Sequence, residues 1–430
     1  MKLSLLGTLL LFALLLFPSP DAHADTIRQM QYNLLYYTDN GVEECNSETN
    51  NLDSKDAALK KIIKEVRPDI LTVNEIGRES YYADRILYNV LNTDGVDYYG
   101  YLPVVTNPNS FYTTTNRVFY DTRKLALKSS FYVATSPTYT NGYRMYYRSQ
   151  GLAQGDTVFI TFIVAHLKAG SDESNVATRQ TQVQAVMNKL QSLGRADNYV
   201  FSGDLNLYGA SEPAYQTLIH NSNAMICFRD PIDEEGEWNN NGNFADIFTQ
   251  STHTSTNGCY SAGGMDDRFD FILVSDYINS GLRKVKCLNE TYHAFGQDGN
   301  RFNGSIVSPA NTAVSSNIAN ALYQMSDHLP VVMDYRIDAA LPVNDIAGEF
   351  AVRVANPVGE RLSVFCNLLN NDKLTFEIYS MEGRLLQMEQ RAVPAGETQV
   401  QLDFPHRPAF YLLKISDGQR NCVVKKVVKM

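Results

Sequence analysis

Two hydrophobic periods alternate along most of the chain. In "SKDAALKKIIKEVRP" the apolar residues Leu59, Ile62, Ile63 and Val66 form the one-sided stripe of an amphipathic helix, and Pro68 closes it. "DILTVNEIG" follows as a buried-type strand. The couplet recurs in "NVATRQTQVQAVMNKLQSLG", where Val176, Val183, Val186 and Leu190 share a side and Gly194 offers a C-cap; the strand "NYVFSGDLN" comes next. Further strands are predicted in "TIRQMQYNLLYY", "NRVFYDT", "DTVFITFIVAHL", "RFDFILVSD" and "HLPVVMDYRI". Strands interspersed with helices predict a layered α/β body over residues 25–338. "DPIDEEGEWNNNGN" and "GQDGNRFNGS" read as surface loops, the first without the glycine and ligand spacing of an EF-hand.

Past "LPVNDIAGEF" the pattern changes. "LSVFCNL", "LTFEIYS", "TQVQLDF" and "FYLLKIS" are short alternating strands set between turn residues, which predicts a small all-β sandwich over 346–430 after a linker at 339–345. At the other end, Lys2, the apolar run Leu3–Phe17 and Ala22-His23-Ala24 have the form of a signal peptide over 1–24. That run is short for a bilayer, and no later stretch is long and apolar enough for a membrane helix. The expectation is an exported protein, secreted or held at the cell surface, and monomeric.

Composition adds three points. With 44% hydrophobic residues and 26 Tyr the chain can build sizeable cores, so it is not a disordered protein. Its formal charge is −10, and residues 341–430 hold 11 basic against 10 acidic groups, so the acidity lies in the larger body. Such a body is a poor non-specific clamp for polyanions, although an enzyme can meet phosphates through a bound cation. The six cysteines lack CxxC spacing, which argues against a thiolate zinc site; the pairs Cys366–Cys422 and Cys227–Cys259 are expected.

The candidate chemistry gathers where apolar strands stop. "QYNLL" ends near Asn33, "TVNEIG" carries Glu75, "IVAHLKAG" carries His166, and "FSGDLNLYG" carries Asp204 and Asn206 on one side of an extended chain. "DRFDFILVS" begins its strand at Asp270, and "SDHLPVV" begins with Asp327 and His328. In α/β sheets, ligands bind outside the strand ends. This set suits metal-assisted phosphoester hydrolysis. Glu75 and Asn33 offer oxygen ligands to a hard cation, Mg²⁺ first and Mn²⁺ or Ca²⁺ as alternatives. Asp204 can orient and deprotonate a water, two histidines can bond the phosphoryl oxygens, and Asp270 or Asp327 can fix an imidazole.

The ordered set Asn33, Glu75, His166, Asp204-Leu205-Asn206, Asp270 and Ser326-Asp327-His328 resembles the endonuclease/exonuclease/phosphatase superfamily, the fold of DNase I and the abasic-site endonucleases. The resemblance spans about three hundred residues, with "GDLN" and "SDHLPV" its most specific pieces. It implies a four-layer α-β-β-α sandwich with a divalent-metal site. It assigns Glu75 as metal ligand beside Asn33, Asp204 as the water-activating carboxylate, and Asn206 as the phosphate's support. His166 resembles the first catalytic histidine and His328 the second, paired with Asp270, while Asp327 adds a metal contact. The family commonly has Gln where this chain has Asn74, which would shorten a side chain beside the metal. In the tail, "ANPVGERLSV", "IYSMEGRLL", "AFYLLKISDG" and "VVKKVVKM" resemble the sorting domain of Bacteroidetes proteins exported by the type IX system, which implies that machinery as a partner.

"NGYRMYYRSQG" offers Tyr143 and Arg144 as substrate contacts, and Arg117 offers a phosphate hand; an exposed hairpin and a strand-edge charge are the plainer readings. Three functions compete: an extracellular metal-dependent nuclease, a lipid phosphodiesterase or inositol-phosphate phosphatase with the same centre, and a non-catalytic surface binding protein. No apolar membrane-inserting hairpin supports the second. None of the site residues is lost, as the third would favour.

Overall fold

The computed structural model describes residues 25–338 and 350–429, apart from 40, 42–43, 105–112, 137, 150–156, 355–357, 369–371, 382 and 418–421. The leader at 1–24 and the linker at 339–345 therefore lie outside the described residues. The chain divides into two compact units, 1–339 and 340–430.

In the first unit, one sheet contains β1 (Asp25–Tyr37), β2 (Ile70–Gly77), β3 (Tyr99–Tyr101), β4 (Thr114–Asp121), β11 (Val285–Ala294) and β12 (Val331–Ile337), in the order β11-β12-β1-β2-β4-β3. The other contains β5 (Leu125–Val133), β6 (Thr140–Tyr147), β7 (Phe159–His166), β8 (Tyr199–Asp204), β9 (Phe228–Arg229) and β10 (Asp270–Ser275), in the order β5-β6-β7-β8-β10-β9. Helices α1 (Leu52–Val66), α2 (Ser80–Ile86) and α6 (Ser316–Met325) cover the first sheet, and α3 (Glu173–Leu193) and α4 (Pro213–Ile219) the second. A short α5 (Asp276–Ser280) follows β10. The expected four-layer sandwich is the observed fold.

Alternation along the strands explains the layers. On β1, Met30, Tyr32 and Leu34 face the helices and pack with Leu59 and Ile62 of α1. Ile27 faces the space between the sheets, where it joins Ile70 and Val118 of its own sheet and Phe162, Val200 and Ile272 of the other. The same inward face then turns polar. Gln29, Gln31 and Asn33 of β1 meet Thr72 and Asn74 of β2 and Ser202 of β8, all buried. Gln29 donates to Ser202 Oγ (3.0 Å), and Gln31 to Asn74 Oδ1 (2.7 Å). The space between the sheets thus grades from hydrocarbon to amide toward the ends that hold the candidate site.

The two segments read as surface loops are loops, but each carries a buried side chain. Trp238 is fully buried within the second core, and Asp230 pairs with buried Arg268 at 2.7 Å. Arg301 is buried against Asp298. Arg268 and Arg301 each have a carboxylate partner, as the cost of an unpaired buried charge favours.

The second unit is all β. β13 (Phe350–Val354), β14 (Arg361–Leu368) and β17 (Gly396–Asp403) form a three-stranded sheet in the order β13-β14-β17. β15 (Asp372–Ser380), β16 (Leu385–Val393), β18 (Phe410–Ser416) and β19 (Cys422–Val428) form a four-stranded one, β16-β15-β18-β19. Leu362, Val364, Phe376, Leu413 and Ile415 fill its core.

The expected disulfides are not formed. Cys45 is bonded to Cys259, while Cys227, Cys287 and Cys366 are free and buried. Cys227 donates its thiol to Ile219 O at 3.0 Å, and Cys366 lies inside the β-sandwich core, where burial pushes its thiol up to about 11.

Candidate active site

Strand pairing brings the separate motifs to one place. Asp204 at the end of β8 is in register with His166 of β7 on one side and Asp270 of β10 on the other. Asn33 is in register with Asn74, and the segment before β12 bridges to Gln250 at His328. Asn33 then spans the gap between sheets, its amide donating to Glu75 Oε1 (3.0 Å) and Asp204 Oδ2 (2.9 Å).

Two imidazoles flank one carboxylate. His166 Nε2 lies 3.6 Å and His328 Nε2 3.7 Å from Asp204 Oδ2, and His166 is 3.8 Å from Glu75 Oε1. The side chains of Glu75 and His166 keep 11% and 17% exposure, against 3% and 4% for Asp204 and His328. The site is therefore most open to solvent on the Glu75–His166 side.

Local backbone geometry is unusual here. Glu75 and Asn206 have φ of 59° and 49°, and Leu35 and Tyr36 have 45° and 44°. Non-glycine residues in this region cost of order 1–3 kcal/mol each, so the surrounding contacts must hold them. Gly203 has φ 148°, and a Cβ there would stand 1.7 Å from Ala165 O. The glycine of "GDLN" is what lets β8 close on β7 beside His166.

Electrostatics separate the roles. Burial raises the Asp204 pKa; His328 and His166 oppose that, and Asp270 adds to it. The result is a carboxylate more basic than usual, fit to take a proton. Burial works against a charged His328, yet Asp270, Asp204 and Asp327 outweigh it and hold the ring well above its ordinary value. Its Nδ1 meets Asp270 Oδ2 at 2.7 Å, which fixes the ring with Nε2 turned toward the Gln250 amide (2.7 Å) and Asp204 Oδ2 (3.7 Å).

Glu75, His166 and Asp204 offer ligand atoms within 4.8 Å of one another, the one such group among the described residues. This oxygen-rich donor set fits a hard divalent ion. Asp327 is outside this group: its buried Oδ1, without a hydrogen-bond partner, lies 3.9 Å from His328 Nε2, and its Oδ2 accepts from Ser261 N at 2.9 Å. Asn33 Oδ1 accepts from Leu35 N (2.9 Å), and its Nδ2 braces the two carboxylates. Asn206 donates Nδ2 to Leu167 O (3.3 Å) and its N–H to Asp204 Oδ1 (3.1 Å).

Three other expected contacts sit elsewhere. Tyr143 is fully buried between the sheets, bonded to Pro103 O, and cannot stack on a substrate. Arg144 pairs with Asp197 (2.6 Å) at the register of Thr161, toward the opposite end of β7 from His166. Arg117 is buried and donates to Arg78 O (2.7 Å). Asn74 is not beside the candidate metal site: it points between the sheets, accepting from Asp204 N (2.9 Å) and donating to Ala165 O (2.9 Å).

The sequence reading missed Gln250, whose amide is 2.7 Å from His328 Nε2, and no local pattern marks it. It also missed Lys55 and the Arg179–Glu212 pair. Arg179 bonds Glu212 (2.9 Å), Lys168 O (2.8 Å) and Gly170 O (2.7 Å), and Glu212 accepts from Tyr208 N (2.9 Å). One buried ion pair therefore ties the loop after His166 to the loop after Asp204. Lys55 and Arg179 both fall on the buried face of a helix, and a cation there is a signal the sequence did carry.

A sequence profile of the Endonuclease/Exonuclease/phosphatase family matches residues 30–328, and the chain belongs to that family. Its members are phosphoester hydrolases that depend on divalent metal. The fold is similar to that of an endonuclease/exonuclease/phosphatase from Bacteroides vulgatus, at 14% identity and TM-score 0.47, covering 73% of this chain and 99% of that one. It is also similar to the human Nocturnin catalytic domain, at 16% identity and TM-score 0.43, covering 73% and 97%. A humanized D. rerio TDP2 gives 12% identity and TM-score 0.44, covering 72% and 99%. No curated protein sequence matches the chain.

Proposed function

We propose that the protein is an exported phosphodiesterase that cleaves nucleic acid at the Asp204 centre. The observation that carries the chemistry is the placement of His166 and His328 on either side of Asp204 Oδ2. Asp204 takes a proton from water as the water oxygen bonds to phosphorus. The ester P–O bond breaks, and the departing oxygen is protonated by solvent. Charge on the non-bridging oxygens meets the N–H groups of His166 and His328, with Asp270 holding the second ring in place. A divalent ion held by Glu75, with Asp204 and Asp327 beside it, would supply Lewis-acid polarisation of the phosphoryl group. We take Mg²⁺ as that ion.

Nucleic acid as substrate rests on the DNase I-like histidine pair. Export rests on the N-terminal leader, and the all-β unit is read as its type IX sorting signal. Both readings come from the sequence.

The test is a panel of duplex DNA, single-stranded DNA, RNA, sphingomyelin and inositol phosphates with Mg²⁺, Mn²⁺ or Ca²⁺. Cleavage of a nucleic acid, stopped by chelator and reduced about 10²-fold or more in His166→Ala, is the expected result. Turnover confined to the lipid or inositol substrates would replace the nuclease assignment. No turnover of any substrate would remove the enzymatic one.

A further inference from the structure

Lys55 occupies the core-facing stripe of α1, one turn before Leu59, and is 1% exposed. Among the described residues no carboxylate lies within ion-pair distance of it. Its ammonium donates to Leu35 O at 2.7 Å and to Asn50 Oδ1 at 2.6 Å. Asn50 in turn donates Nδ2 to Leu35 O (3.2 Å) and Tyr36 O (2.8 Å). These two side chains therefore grip the left-handed turn at Leu35 and Tyr36.

That turn interrupts the pairing of β1 with β2 between Asn33 and Tyr37. It aims Tyr36 N–H at Glu75 Oε2 (2.9 Å) and Leu35 N–H at Asn33 Oδ1 (2.9 Å). Asn50 is itself anchored. Its N–H bonds Asn46 O (2.7 Å), Asn257 Nδ2 bonds Thr49 O (2.8 Å), and Cys45–Cys259 joins the two segments.

We infer that Lys55 is a positioning residue of the metal centre, which with Asn50 locks the β1 turn that orients Glu75 and Asn33. The inference rests on the metal-centre reading above. An apolar side chain at this place on the stripe would be easier to bury than an ammonium without a carboxylate partner. A lysine there is accounted for by the strained backbone it holds and by the negative charge it faces, since Glu75 and Asp327 act on it electrostatically. Its role is exerted through the turn and through Glu75, without contact to substrate.

The test is calorimetric titration of the full chain with MgCl₂ alone, alongside thermal unfolding in chelator. Lys55→Met is expected to weaken Mg²⁺ binding about tenfold or more, with the unfolding midpoint in chelator equal to the parent's or higher. Asn50→Ala, which leaves the lysine in place, is expected to weaken binding in the same direction. Mg²⁺ affinity within about twofold of the parent in a variant that folds would overturn the inference. A lowered midpoint with unchanged affinity, or failure of both variants to fold, would assign Lys55 to stability alone and overturn it as well. A parent chain that takes up no divalent ion sinks the metal-centre reading and this inference with it. A binding parent and an equally binding variant sink only the inference.

Discussion

Gly203→Ala would place a methyl group where two strands already touch. The new Cβ lands 1.7 Å from Ala165 O and 2.8 Å from Ala165 C, whereas real Cβ contacts essentially never fall under 3.0 Å. Both neighbours are backbone of β7, held by pairing on each side and by the Asn74 amide on Ala165 O (2.9 Å), so no side chain can swing away. β7 and β8 must part by more than 1 Å one rung from His166 and Asp204. Forced separation costs about 1–3 kcal/mol, and alanine at this φ adds about 1 kcal/mol. A displacement of that size between catalytic groups costs about 10²-fold in rate. The assay is kcat/KM on a cleavable phosphodiester together with thermal unfolding. Gly194→Ala is the control, because its φ is 59° but nothing stands within 4 Å of its Cβ. That variant should lose about 1 kcal/mol of stability and keep its kcat. A Gly203→Ala protein with the parental rate and midpoint would refute the argument.

Three further outcomes are expected. Asp270→Asn keeps the hydrogen-bond shape but removes a charge that holds His328 protonated. The rate should fall about 10²-fold and the alkaline limb of the pH–rate profile should move to lower pH; an unmoved limb would exclude this pairing. Burial pulls the Lys55 ammonium from 10.5 to about 7, with Asp327 and Glu75 opposing. Between those values the unfolded chain binds the extra proton, so stability from this group grows as pH rises, by at most about 1.4 kcal/mol per pH unit. Denaturant unfolding at pH 7.5, 8.5 and 9.5 should show Lys55→Met lacking that increment, and identical slopes would count against it. Reduction of Cys45–Cys259, which closes a separation of 214 residues, should cost about 2–5 kcal/mol, read as a lower denaturant midpoint after thiol treatment.

The α/β layering and the strand-end residues were legible because both follow from local periodicity. A strand whose inward face runs from Val200 through Ser202 to Asp204 announces an edge that must meet solvent or a ligand. Asn74 keeps the inward face of the alternation, whereas Glu75 stands at φ 59° where the pairing of β2 breaks, so its placement was not legible from alternation. Tyr143 and Arg144 were misread because β6 is an interior strand, whose aromatic residues alternate into the space between sheets. The disulfide was not legible, as its partners meet only when the loops after β1 and before β10 fold together. Gln250 is placed by the same tertiary packing. Lys55 is a different case: a polar residue on an apolar stripe was visible, but its meaning depended on a backbone turn that composition does not reveal.

The centre itself is tested most directly by anomalous diffraction from crystals soaked in Mn²⁺. A single strong peak bonded to the Glu75 carboxylate, within reach of Asp204 and Asp327, and lost in Glu75→Gln, is the expected result. A peak elsewhere on the surface, or none at Glu75 at saturating Mn²⁺, would contradict the assembly of these scattered residues into one hydrolytic site.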